Sequence, residues 1–147
     1  MTRVDFYQVD SEEPALLFAC RLIDKIYHAG HQIHVHTMGH EQSVKLDELI
    51  WSFRDSRFIP HACYDASGKI DENLSVQISH EHEPTQHRDL LVNLSGQVPD
   101  FFSRFERVVE VVPLDENSKL SARENYKFYK DRGYALKYHK MTGKNGK

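Results

Sequence analysis

Cysteine is almost missing from this chain. Cys20 and Cys63 are the only two among 147 residues, too few for a disulfide framework, and no C-x-x-C spacing announces a structural zinc site. Two lone cysteines in a chain of this size are expected to be buried thiols in a reducing cytosol. Long apolar runs are missing as well. No segment approaches the roughly 20 apolar residues that cross a bilayer, and the opening "MTRVDFYQVD" carries no signal-peptide core, so the sequence predicts a soluble, cytoplasmic protein. Repeats and low-complexity stretches are also absent. The length suits one α/β domain over residues 1–140 with its own core, followed by a flexible basic tail over 141–147.

Further absences bear on chemistry. A dinucleotide-binding fold needs glycines in its first strand-to-helix turn so that the backbone can approach phosphate. Here that turn reads "QVDSEEPA", with Asp10, Glu12 and Glu13 in place of glycine. The G-x-x-x-x-G-K-[ST] loop and the G-x-S-x-G nucleophile elbow are both lacking. Ser67-Gly68 and Ser95-Gly96 read as turns. No pair of carboxylates stands out from the surface acids.

What is present alternates between two periods. "VDFYQV" (4–9) has strand character, and "SEEPALLFACRLIDKIYHAG" is a helix with Ser11 as cap, Glu12, Glu13 and Pro14 in the first turn, and Gly30 as its stop. Leu16, Ala19, Ile23 and Ile26 form its buried stripe. "QIHVH" is a second strand. "HEQSVKLDELIWSF" is helical through Val44, Leu46, Leu49, Ile50 and Phe53, and Pro60 marks a loop or sheet edge after it. "LSVQI", "DLLVNL" and "RVVEVV" follow as strands, the second apolar enough to be covered on both faces. "VPDFFSRF" is a short helix and "DENSKLSARENYKFYKDRG" a capped one ending at Gly133. This alternation predicts an α/β fold with a mostly parallel sheet flanked by helices, similar to a nucleotide-binding fold but without its phosphate loop.

Ten histidines are the conspicuous excess, four of them in "HQIHVHTMGH" (31–40). On a strand, His34 and His36 share one face and Ile33, Val35 and Thr37 the other. Two ligands begin a metal site, but the spacings that supply a third and fourth are not found. We therefore expect neither metal nor other cofactor. The rival reading is a metal-dependent hydrolase that adds His80, His82 and His87 of "SHEHEPTQH" to the strand pair.

The formal charge of −3 hides an asymmetry: residues 116–147 hold nine Lys or Arg against three acids, the other 115 hold ten against nineteen. Such a segment suits an anionic partner. Its helix places Lys119, Arg123, Tyr126, Lys127 and Lys130 at spacings of three and four, with Leu120, Phe128 and Tyr129 left for the buried side. The only tryptophan, Trp51, sits in "LDELIWSFRDSRFIPH", either as core or as an interface anchor.

Taken in order and spacing, "VDFY", "LDELIWSF", "FIPH", "RDLLVNL", "FERVVEVV" and "ARENYKFYKDRGY" resemble the chi subunit family of the bacterial DNA polymerase III clamp-loader assembly, over about residues 3–138. The resemblance implies an α/β fold with no catalytic site of its own. It also implies an adaptor that holds the psi subunit on one surface and the acidic C-terminal tail of single-stranded DNA-binding protein on another. Nucleic acid would be met only indirectly, with no membrane and no small-molecule substrate. Carried over by position, the tail site comprises Val112, Lys119, Arg123, Tyr126 and Lys127, and the psi site Trp51 and Phe58. The chain departs from the family at 31–40, where relatives read like R-V-L-I-H-C, and the polar loop at 79–88 has no family role.

Overall fold

The computed structural model describes residues 2–9, 14–52, 61–64, 75–80 and 89–141. Asp10, Ser11, Glu12, Glu13, Phe53, Phe58, Pro60, His82 and His87, and the tail after 141, lie outside the described residues. The elements are β1 (Arg3–Val9), α1 (Ala15–His28), β2 (Ile33–His36), α2 (His40–Ser52), β3 (His61–Tyr64), β4 (Val76–Ser79), β5 (Leu90–Asn93), a 3-10 turn at Phe102–Arg104, β6 (Arg107–Val112), α3 (Glu116–Asp131) and β7 (Ala135–Met141). The strands form one sheet in the order β3-β4-β2-β5-β6-β1-β7. Every pairing is parallel. The carboxyl ends of all seven strands therefore meet at one edge of the sheet.

Side-chain alternation divides the core between two faces. Ile33, Val35, Leu90, Val92, Val109 and Val111 point to the face covered by α1 and α2, where they meet Phe18, Ile23, Leu46 and Ile50. The intervening residues Val4, Phe6, Leu91, Val108 and Val112 point to the opposite face and pack under Ala122 and Tyr129 of α3, beside Phe102 and Phe105. α1 and α3 thus lie on opposite sides of the same strands.

The C-termini of α1 and α3 are each closed by a glycine in the left-handed region. At α3, Gly133 (φ 83°) donates to the Lys130 carbonyl at 3.0 Å and Tyr134 to the Tyr129 carbonyl at 3.2 Å, the two bonds of a Schellman turn. The Tyr129 and Tyr134 rings, 6.4 Å apart, supply its apolar contact. The turn sends the chain back into β7 alongside β1. α1 ends similarly at Gly30 (φ 97°).

Two expectations need correction, and one alternative left open is closed. The N-cap of α1 is Pro14, in extended conformation, and no acid lies in the first turn. With φ already near the helical value, proline starts the helix at the point where its missing N–H costs nothing. Leu120 is 53% exposed and does not belong to the buried side of α3, where Ala122 stands with the expected Tyr129 and the partly buried Phe128. Trp51 is 58% exposed, so it is not core. One element went unforeseen: β7, which extends the sheet as an edge strand and carries through Met141.

Candidate peptide-binding site

α3 is positioned from its ends and its centre. Asp115 caps the N-terminus, accepting from the Ser118 N–H at 3.0 Å and the Ser118 hydroxyl at 2.8 Å. In mid-sheet, Tyr129 donates its phenol to Glu110 Oε2 at 2.7 Å. Asn125 donates to the Gly96 carbonyl at 3.1 Å. With its buried side fixed in this way, the helix presents Lys119, Arg123, Tyr126 and Lys127 on the flank that overlooks β1 and β7.

An aromatic floor lies beneath that flank. Phe6 is buried, and its ring stands 5.5 Å from that of Tyr126 and is stacked at 5.7 Å on that of Tyr138. Tyr126 and Tyr138 meet edge-on at 6.2 Å. The Tyr138 hydroxyl donates to Gln8 Oε1 at 2.6 Å. Partial burial pushes the Tyr138 phenol above its ordinary value, against the opposing pull of the Arg123 guanidinium. Arg123 therefore stands within electrostatic reach of the tyrosine pair while itself being exposed. Lys119 is partly covered and lies 3.9 Å from Glu116, an exposed contact of small worth.

Of the five residues assigned to the tail site, the structure gathers Lys119, Arg123, Tyr126 and Lys127 on one helix flank. Val112 is 3% exposed and lies one step further along the sheet, in register with Gln8, which is in turn in register with Lys140. It also lines a cleft on the other flank of α3, with Ser118 and Ala122. Tyr138, Gln8 and Lys140 were missed in the sequence because two of them sit on β7. The signal was the alternation of Leu136, Tyr138 and Lys140 immediately after the Gly133 stop.

Trp51 lies at the exposed end of α2, on the opposite face of the sheet from α3. Between α1 and α2, Leu16 and Leu49 line an apolar groove with Lys45, Glu48 and Ser52, and Trp51 is not part of that lining.

The histidines divide by role. His34 is fully buried, with Nδ1 3.1 Å from Gln77 Oε1 and its ring against Phe101 and Phe105. His36 stands edge-on to Phe101 at 5.4 Å, and burial, together with the neighbouring His80, lowers its pKa. His40 and His80 rings are 6.1 Å apart. Among the described residues, no group of three His, Cys, Asp or Glu side chains is arranged to hold a metal ion. Cys20 is a buried free thiol whose pKa burial pushes up to about 12, which leaves it unreactive near neutrality.

A parallel sheet with helices on both faces, bearing a cationic helix flank beside partly exposed tyrosines, defines the class: an α/β protein with a basic, aromatic surface face. Among the described residues, no helix is long and apolar enough to cross a membrane. The family model described as DNA polymerase III chi subunit, HolC, matches residues 1–137, and the chain belongs to that family. It is 38% identical to DNA polymerase III subunit chi of Pseudomonas aeruginosa over 143 residues, covering 96% of this chain and 98% of the relative. It is 32% identical to that of Haemophilus influenzae over 120 residues, covering 80% and 81%. With that of Escherichia coli K12 the identity is 24% over 142 residues, covering 92% and 96%.

Proposed function

We propose that this chain is a non-catalytic, cytoplasmic adaptor of a bacterial DNA polymerase III holoenzyme. In this reading, the end of α2 with Trp51, together with Phe58 further along the sequence, holds the psi subunit of the clamp loader. The α3 groove holds the acidic C-terminal tail of single-stranded DNA-binding protein. The observation that carries the tail assignment is the convergence of Arg123, Tyr126 and Tyr138 above Phe6. An aspartate-rich peptide ending in phenylalanine requires a bidentate donor for its terminal carboxylate, an apolar seat for its ring and a positive field along its length. Arg123 provides the first, because its planar fork matches a carboxylate in a way that a lysine cannot. Tyr126 and Tyr138 provide the second, with Val112 at the back of the seat. Lys119 and Lys127 provide the third.

The psi assignment rests on the exposure of Trp51 (58%) at the end of α2. Large aromatic side chains set in such a position are typical interface anchors. The adaptor needs neither cofactor nor substrate turnover. Fluorescence anisotropy with a labelled tail peptide, run beside co-purification with psi, tests both halves. The expected result is peptide binding lost in Arg123→Glu with psi retained, and the reverse in Trp51→Ala. A peptide that binds Arg123→Glu as it binds the parent chain overturns the tail assignment.

A further inference from the structure

A second cavity, of about 500 Å³, opens on the other flank of α3, outside the carboxyl ends of β5 and β6. Ligands of open parallel sheets gather at this edge, and the volume lies within the range of small-molecule sites. Its walls are mostly uncharged: Ser118, Ser121 and Asn125 from α3, and Ser95 and Gln97 from the turn after β5, with Val112 and Ala122 supplying apolar surface. Among the described residues lining it there is no Lys, Arg or His. The two charged groups are Asp115, engaged as the α3 cap, and Glu110 at the floor.

Glu110 is the unusual member. It is 3% exposed in a strand otherwise made of valines. Tyr129 and Asn93 both donate to the same oxygen, Oε2, at 2.7 and 2.9 Å. Oε1 receives no hydrogen bond from a described residue, and the carboxyl borders the cavity. The carboxyl lines the cavity, and no cation in that lining pairs with it. Phosphates and carboxylates would meet only negative and neutral groups there.

We propose that this cleft is a binding site for a small organic cation of the guanidinium or ammonium class, whose N–H donors reach Glu110 Oε1 and whose aliphatic stem lies along Val112 and Ala122. The source is either a free amine or an arginine side chain of another protein; the chemistry at Glu110 is the same for both. The cleft and the peptide face lie on opposite flanks of α3 and share Val112 at their common edge.

The charge state of Glu110 gives the proposal a signature. Burial raises its pKa to about 7, partly offset by the Tyr129 and Asn93 hydrogen bonds. The groups that face it are the Tyr129 phenol of α3, the Asn93 amide of β5 and Phe6 of β1, with Asp115 on the rim; none is basic. A guanidinium keeps its charge throughout, so binding requires the ionised carboxylate and releases a proton as pH falls towards neutrality.

The test is calorimetric titration of the full chain with agmatine, with an acetylated and amidated arginine, and with the uncharged urea analogue of agmatine. Agmatine should bind saturably, about tenfold more weakly at pH 6 than at pH 8, with heats that vary with the buffer at pH 7. The arginine derivative separates the sources: comparable binding points to a protein side chain, and binding of agmatine alone to a free amine. Glu110→Gln should weaken binding at least tenfold. Ser121→Trp, which fills the cleft and leaves Glu110 and its partners in place, should do the same while keeping the parent melting temperature. The proposal is overturned if neither cation binds at millimolar concentration, if the uncharged analogue binds equally well, or if Ser121→Trp has no effect.

Discussion

At the scale of single residues, the energetics order the groups of the peptide groove. A bidentate arginine–carboxylate pair shielded by Tyr126 and Tyr138 is worth more than exposed lysines acting through solvent. Arg123→Ala should cost about 2 kcal/mol or more in tail-peptide affinity, roughly 30-fold, while Lys119→Ala and Lys127→Ala should each cost about 1 kcal/mol or less. Anisotropy titrations at moderate salt give the ranking, and equal losses at all three positions would refute it. Glu110 makes a different, pH-dependent prediction. Its carboxyl is raised from an ordinary 4.5 to about 7 in the folded chain, so the native state holds a proton that the unfolded state has released. Its stabilising contribution is complete below about pH 4.5 and is lost as pH rises through about 7, a difference on the order of 3 kcal/mol. His36, whose pKa is lowered, acts in the opposite sense, adding stability as pH rises towards its ordinary value. Comparison with Glu110→Gln isolates the carboxyl: the variant should lose the fall in melting temperature that Glu110 adds between pH 5 and 8. Parallel melting profiles for parent and variant would show that Glu110 is ionised throughout.

At the scale of elements, the sequence disclosed those with a clean period and missed those without one. "RVVEVV" gave β6 to the residue, because a strand covered on both faces is nearly all valine. α3 declared both its Asp115 cap and its Gly133 stop. β7 was illegible because an edge strand can be polar: Lys137 and Lys140 are both exposed, on opposite faces of the strand, as charged residues on sheet edges commonly are. Half of the groove was hidden with it, since Tyr138 reaches Arg123 and Tyr126 only through the pairing of β7 with β1. Glu110 was hidden for another reason. Its burial is set by Tyr129 and Asn93, 19 and 17 residues away, although a lone acid within a valine run was a readable hint. β7 can be tested through that tyrosine: Tyr138→Ala should weaken tail-peptide binding about tenfold. Tyr138→Phe, which keeps the ring on Phe6 and loses only the Gln8 bond, should bind nearly as the parent does. If both variants bind equally, the ring is no part of the seat.

At the scale of the whole molecule, the sheet is a wall between two surfaces. α2 buries Leu46 and Ile50 against one face, and α3 buries Ala122 and Tyr129 against the other. Trp51 and Arg123 therefore belong to elements on opposite faces of the sheet, and losses at well-separated sites add. The charge asymmetry sorts the two surfaces further. The basic residues after 116 lie against an acidic remainder, so association of an acidic peptide is steered at a distance, whereas an aromatic anchor such as Trp51 acts through contact alone. Raising salt from about 50 to 500 mM shortens the Debye length from roughly 14 to 4 Å. Tail-peptide association should slow by an order of magnitude or more over this range, with a smaller change in dissociation, while psi binding should move little. Trp51→Ala should leave the melting temperature within a few degrees of the parent, because its side chain is more than half exposed, yet weaken psi at least 30-fold, about 2 kcal/mol. Combining it with Arg123→Ala should reproduce the sum of the two single losses and nothing more. Stopped-flow rates across salt, paired with a double-mutant cycle in a solution holding both partners, measure all of this at once. A coupling above about 0.5 kcal/mol would mean that the sheet transmits occupancy from one face to the other, and that the chain is a switch instead of a bridge.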